Sequence, residues 1–285
     1  MRYAITLSYD GSAFCGWQVQ PGAPSVQASL EEALGKLLGR ATPVTGAGRT
    51  DTAVNAIGYV AHFDAPDGID SADFSYKLNA ILPRSVVVCS VVPEASDFHA
   101  RFGAVRREYT YFLHRGKDPF IEKFSYRCPW ALDVEAMNKA AAMLVGRHDF
   151  SCFEKVGGDN KTSVCTVSEA FWKAYTPTHV ALMGSPAPQD GDYLYFRISA
   201  DRFLRNMVRA VVGTLLEVGR GRRSVEDFAS LILPPGGEAS RSAVAGPDPA
   251  AADVGTQAAA PSLPRRCLAG ESVPGHALFL SRIQY

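Results

Sequence analysis

Neither charge sign predominates in this chain of 285 residues: 29 Lys and Arg stand against 29 Asp and Glu. That balance excludes a globally basic chain, so any nucleic-acid surface has to come from local clustering of cations. The six cysteines, Cys15, Cys89, Cys128, Cys152, Cys165 and Cys267, include no Cys-x-x-Cys pair and no histidine stands at zinc-ligand spacing. A structural metal site is therefore not expected, and buried reduced thiols are. His62, His99, His114, His148, His179 and His276 form no cluster along the chain, and a core or surface role is expected for each. No apolar run reaches about 18 residues, and no charged n-region followed by an apolar h-region opens the chain, so the reading is a soluble, cytoplasmic protein without a membrane partner. Apolar side chains, in contrast, are plentiful at 47%. Such a chain buries a full core, and its length suits two lobes of about 100 to 150 residues each.

Tyr3, Ile5, Leu7 and Tyr9 alternate with smaller or polar residues, the period of a strand with one buried face, and Asp10-Gly11 ends it as a turn. Ser25 is placed to cap a helix whose apolar positions Val26, Leu30, Leu34, Leu37 and Leu38 recur at helical spacing until Gly39. Residues 57–63 read as a strand. Ser71 is the expected cap of a helix presenting Phe74, Leu78 and Ile81, and the β-branched run 86–92 suits a buried strand. The second half repeats the theme. Residues 105–113, 164–173 and 193–200 read as strands, Asp133 caps a helix with Met137, Ala141 and Leu144, and a long helix is expected over about 203–218. Ser224-Val225-Glu226-Asp227 opens one more helix, ended by Pro234-Pro235. Residues 234–264 are dominated by Ala, Pro, Gly and Ser, cannot repay their ordering entropy by burial, and are read as a mobile insert without a catalytic part. The fold is expected to resume near Leu268. Two similar halves, bounded at about 1–104 and 105–285, give an α/β chain of α+β character.

Between the first helix and the strand at 57 lies a polar break, Gly48-Arg49-Thr50-Asp51-Thr52-Ala53-Val54-Asn55-Ala56. Asp51 stands two residues from Arg49, and a guanidinium so placed holds a carboxylate ionised and limits its orientations. The same residues also suit a turn with a structural Asx hydrogen bond. Arg101, Arg106 and Arg107 form one basic stretch, and Arg202, Arg205, Arg209, Arg220, Arg222 and Arg223 another. Arg202, Arg205 and Arg209 lie at spacings of three and four, so on a continuous helix they make one basic stripe suited to a phosphate backbone, or a solvated charged face. Tyr109 sits in a strand, where an aromatic is either a stacking surface or one more core residue.

The polar break resembles the signature of the bacterial tRNA pseudouridine synthase A family, usually Gly-Arg-Thr-Asp-Ala-Gly-Val-His-Ala. Further matches follow in order: Tyr9-Asp10-Gly11, Gly16-Trp17-Gln18, Ser25-Val26-Gln27, Phe98-His99-Ala100-Arg101-Phe102, Arg107-Glu108-Tyr109-Thr110-Tyr111, Phe203-Leu204-Arg205-Asn206-Met207-Val208-Arg209 and Ala277-Leu278-Phe279-Leu280. The resemblance covers nearly the whole chain apart from the insert. It implies two ferredoxin-like lobes joined in a predominantly antiparallel sheet, with the active cleft between them. It also implies isomerisation of uridine to pseudouridine at the 3′ side of the anticodon stem and loop of tRNA, without metal or small-molecule cofactor. Asp51 is then the catalytic residue, and the uridine is extruded from its stack against Tyr109. Arg49 contacts the phosphate or the displaced nucleotide, Arg101, Arg107, Arg205 and Arg209 are expected near the RNA, and an ion pair of Arg107 with a neighbouring acid is an equal alternative. A homodimer in which one tRNA touches both subunits is also implied. Two positions depart from the pattern. Ala53 replaces a glycine, harmless at negative φ but costing about 1 to 2 kcal/mol at positive φ. Asn55 replaces a histidine and keeps hydrogen bonding without charge, which would weaken an RNA contact made there. Two readings stay open, an active synthase and a non-catalytic RNA-binding relative.

Overall fold

Alternating burial makes the first strand. Tyr3, Ile5, Leu7 and Tyr9 are buried along β1 (Arg2–Tyr9). α1 (Val26–Leu38) is capped by Ser25, whose side chain accepts from the Ala28 amide, and ends at Gly39 in the left-handed region. A short β2 (Thr45–Gly46) precedes β3 (Asn55–Asp64). α2 (Ser71–Ile81) is capped by Asp70 and not by Ser71, because the Asp70 carboxylate accepts from both the Ala72 and Asp73 amides. β4 (Val86–Glu94) closes the first half. The computed structural model describes residues 1–155, 157, 161–183, 192–232, 234 and 265–285. Apart from Pro234, the insert expected at 234–264 lies outside the described residues.

In the second half come β5 (Arg106–His114), β6 (Tyr126–Arg127), α3 (Val134–Ala142), β7 (Gly146–Asp149), β8 (Val164–Ala174), α4 (Thr178–Met183) and β9 (Tyr193–Ala200). They are followed by α5 (Met207–Gly219), α6 (Val225–Ala229) and β10 (Leu278–Gln284). The sheet has ten strands in the order β4-β1-β3-β10-β5-β9-β8-β7, with β2 on β3 and β6 on β5. All pairings are antiparallel except β10 with β3 and β5 with β6. This is the mixed α/β, mostly antiparallel sheet expected.

β10 is the seam. Phe279 and Leu280 pair with Asn55 and Ala56 on one side, and Leu280 pairs with Tyr109 on the other. Leu280 packs in the core under α1 and α2, Leu278 in the core of the second half, and Tyr109 touches both. The last strand in sequence thus carries backbone hydrogen bonds to both halves and holds residues 55 and 109 to one register.

Three expectations on local structure need correction. The valine run at 86–92 is not a buried strand: β4 is the sheet edge, and Val87 and Val92 are exposed while Val86, Val88 and Val91 pack inward. β-branched composition sets strand propensity, not the number of covered faces. The helix expected from Phe203 begins only at Met207, because Asn206 adopts φ 64 and the Asp201 carboxylate accepts from the Thr166 and Arg202 amides, fixing an irregular approach. Arg202 and Arg205 therefore precede α5 and share no helix face with Arg209. α5 is itself buried on nearly all sides, with Met207, Val211 and Leu215 fully covered. Among the cysteines, Cys128, Cys152 and Cys165 are buried as expected but Cys89 is exposed on β4.

Candidate active site

The polar break is held from every side. The Ala47 amide bonds the Val60 carbonyl, and the Gly48 amide and carbonyl both meet the Tyr59 hydroxyl, which stacks its ring on Trp17 at 4.1 Å. Thr50 binds the Tyr9 hydroxyl through Oγ1 at 2.9 Å and accepts from the Trp17 amide through its carbonyl. Burial pushes the Tyr9 and Tyr59 phenols well above their ordinary values, so both are neutral, and Tyr59 donates to the Gly48 carbonyl. The Val54 amide returns to the Asp51 carbonyl at 3.2 Å and closes a turn whose third residue is Ala53.

Three glycines make room for this turn. A Cβ on Gly11 would land on the Val54 carbonyl, one on Gly16 on the Thr50 carbonyl, and one on Gly275 on the Thr52 carbonyl. Gly11 and Gly16 come from the first half and Gly275 from the far end of the chain. The backbone carrying Asp51 is thus pressed between both halves, an arrangement that no local pattern in the sequence announced.

Ala53 has φ 63, the region that favours glycine. The costly alternative for this substitution is therefore the one realised, at about 1 to 2 kcal/mol for a Cβ in the left-handed region. Ala53→Gly is expected to stabilise the protein by about 0.5 to 1 kcal/mol, after the larger unfolded-state entropy of glycine is counted, and to raise the Tm by about 1 to 3 °C in a thermal scan. An unchanged or lower Tm would show that the turn relaxes around the alanine.

Asp51 keeps 30% of its side-chain surface and faces Arg209, whose Nη1 lies 3.7 Å from Oδ2. Arg209 is itself aimed by a 2.7 Å bond from Nε to the Val273 carbonyl. The arginine expected to contact phosphate as part of a helical stripe instead stands against the carboxylate. Tyr109 lies on the central strand β5, edge-on to Phe203 at 5.0 Å and 88°. Burial first, and then the Asp51 carboxylate, push its phenol above the ordinary value, which places the two groups within electrostatic reach and keeps the phenol protonated. Asp51, Arg209 and Tyr109 are thus brought together from distant stretches of sequence.

Asn55 is not at the surface. It is 2% exposed, its Oδ1 accepts from the Gly11 amide at 2.9 Å, and its Nδ2 donates to the His276 carbonyl at 2.7 Å. The amide joins the loop's end to the turn after β1 and to the approach to β10, where a residue expected beside the RNA is instead buried. Arg107 is corrected as well. Among the described residues it makes no ion pair and donates instead to four carbonyls, those of Ala104, Asp201, Ala47 and Arg101, at 2.7 to 3.0 Å. Burial lowers its pKa, yet a guanidinium remains charged and serves as a bracket between halves. Arg49, Arg101 and Arg205 are exposed around this centre. Arg220 and Arg223, counted with the second basic stretch, are engaged elsewhere, Arg220 on the Trp130 ring at 4.5 Å and Arg223 with Glu217 at 2.9 Å.

A family model described as tRNA pseudouridine synthase matches residues 140–255. A protein of Parabacteroides distasonis named tRNA pseudouridine synthase A is 42% identical over 285 residues, covering 100% of this chain and 96% of the relative. Its namesake in Porphyromonas gingivalis is 40% identical, covering 100% and 97%, and that of Bacillus subtilis is 35% identical, covering 100% and 99%. Identity of this order over the full length of both partners, with a carboxylate, a guanidinium and a phenol converging where the halves meet, shows that the chain belongs to the tRNA pseudouridine synthase A family.

Proposed function

We propose that this protein isomerises uridine to pseudouridine in the anticodon arm of tRNA, with Asp51 as the catalytic residue. The observation that carries this reading is the partly exposed Asp51 carboxylate, paired with Arg209 and within electrostatic reach of Tyr109. In the reaction the bond from C1′ to N1 breaks, a bond from C1′ to C5 forms, C5 loses its proton and N1 gains one, so neither redox partner nor activated donor is consumed. A carboxylate suits that sequence, either by adding to the sugar or ring or by taking a sugar proton.

The uridine has to leave its stack to reach Asp51. Tyr109 offers the surface for the extruded ring, walled by Phe203, and as a neutral phenol it donates a hydrogen bond and is not a resting base. Arg209, 3.7 Å away, holds the carboxylate oriented until substrate arrives. Arg49, Arg101 and Arg205 meet the phosphate backbone, in a cytoplasmic homodimer whose two subunits share one tRNA.

Purified protein incubated with tRNA tritiated at uridine C5 is expected to release tritium without added metal or cofactor, with loss confined to the 3′ side of the anticodon stem and loop. Binding of tRNA with no release would make the chain an RNA-binding relative of the family and end the catalytic reading.

A further inference from the structure

Residues 98–104 join the two halves and present a large apolar ring to solvent: Phe102 is 77% exposed. A phenylalanine left out of the core forgoes the free energy its ring would gain on burial. Its loop is nonetheless tightly held. His62 Nδ1 accepts from the Ala100 amide at 3.1 Å, and the Tyr285 hydroxyl donates to the Ala100 carbonyl at 2.7 Å. His99 Nδ1 accepts from the Arg101 and Phe102 amides, each at 3.2 Å, and the Gly103 amide returns to the His99 carbonyl. The Phe102 ring rests on the His99 imidazole, centroids 4.4 Å apart at 34°, so it is braced and cannot fold back into the core. The Arg101 guanidinium carbon lies 5.6 Å from the ring centroid.

The bracket Arg107 locates this ring relative to the active centre. One nitrogen, Nη2, donates both to the Arg101 carbonyl and to the Ala47 carbonyl, and Ala47 immediately precedes the Gly48–Asp51 stretch. Nη1 holds the Asp201 carbonyl, just ahead of Phe203, the wall of Tyr109. Through Arg107 the backbone that leads into Phe102 is thus tied to the stretch that leads to Asp51 and to the one that leads to Phe203. A braced ring with an open face binds a planar partner at little entropic cost, and the exposed neighbours Arg101 and Arg106 match anionic groups beside that partner.

We propose that Phe102, braced by His99, is a stacking platform for an unpaired nucleobase of the tRNA next to the extruded uridine, with Arg101 swinging from the ring to an adjacent phosphate. The inference rests on tRNA being the substrate. Phe102→Ala in the full chain is expected to weaken equilibrium binding of an unmodified tRNA transcript about 10- to 100-fold, and Phe102→Trp to keep it within about threefold. The dependence of log affinity on log salt should keep its slope in Phe102→Ala, whereas Arg101→Ala should reduce it by about one phosphate contact. Phe102→Trp should also show tryptophan quenching on tRNA addition. Binding by Phe102→Ala within about twofold of the unmutated protein overturns the proposal, as does a change in sedimentation without a change in tRNA affinity, which would make the ring a contact between copies. Tritium release by the unmutated protein, read in parallel, separates the two ideas: release with unaffected Phe102→Ala binding sinks only the platform, and binding without release sinks only the catalysis.

Discussion

Asp51→Asn is expected to abolish tritium release from C5-labelled tRNA, by about 10^4-fold or more, while tRNA binding stays within a few fold. The substitution keeps the shape of the side chain and removes both its charge and its capacity to add to carbon or take a proton. Binding should hold because the carboxylate is unfavourable to an anionic ligand and because Arg209, 3.7 Å away, is freed to meet phosphate once its partner is neutral. Asp51→Ala supplies a second arm with no acceptor oxygen left to Arg209. Release persisting within tenfold in both variants would remove Asp51 from the chemistry. Loss of tRNA binding in both would show that the carboxylate organises the surface and would not identify it as the reacting group.

Gly16→Ala is expected to be the most damaging single-methyl change near the site. Gly16 has φ 98, and a Cβ there would fall on the Thr50 carbonyl oxygen, one residue before Asp51. The left-handed backbone costs about 1 to 2 kcal/mol, and displacing a carbonyl that already accepts from the Trp17 amide adds about 1 to 3 kcal/mol. Part of that cost will be relieved by shifting the loop, and a shift on the order of 1 Å at a reacting group lowers kcat about 100-fold. Urea titration and steady-state kinetics on tRNA should therefore show a destabilised protein with kcat reduced more than KM. Gly22→Ala is the control, since Gly22 has φ 70 but nothing within 4 Å of a built Cβ. It should lose only about 1 kcal/mol and keep kcat. Equal behaviour of the two variants would mean that close approach at Gly16 does not hold the loop.

The glycines show why part of the site was illegible. Gly11 reads in the sequence as a turn residue and Gly16 as part of a family motif, and nothing local states that three carbonyls of one loop lie against Gly11, Gly16 and Gly275. Asn55 misled in the same way, because its partners, the Gly11 amide and the His276 carbonyl, come from opposite ends of the chain. Arg107 read as a residue near the RNA or the partner of a neighbouring acid, and its four carbonyls are brought around it only by the fold. The arginine stripe failed for a more local reason. Its three-and-four spacing presumed a helix that Asn206, at positive φ, delays to Met207.

The sequence by itself determined the strand and helix periods, the caps at Ser25 and Asp133, and the Asp51 loop with its family signature. Each depends on neighbours a few residues apart, and hydrophobic period and capping chemistry act over that range. Only the tertiary structure decided that Arg209, and not a helical stripe, faces Asp51, that Ala53 takes positive φ, and that Tyr109 feels the Asp51 charge. Those facts depend on β10 entering between β3 and β5, a pairing of remote segments whose energy no local window of residues contains.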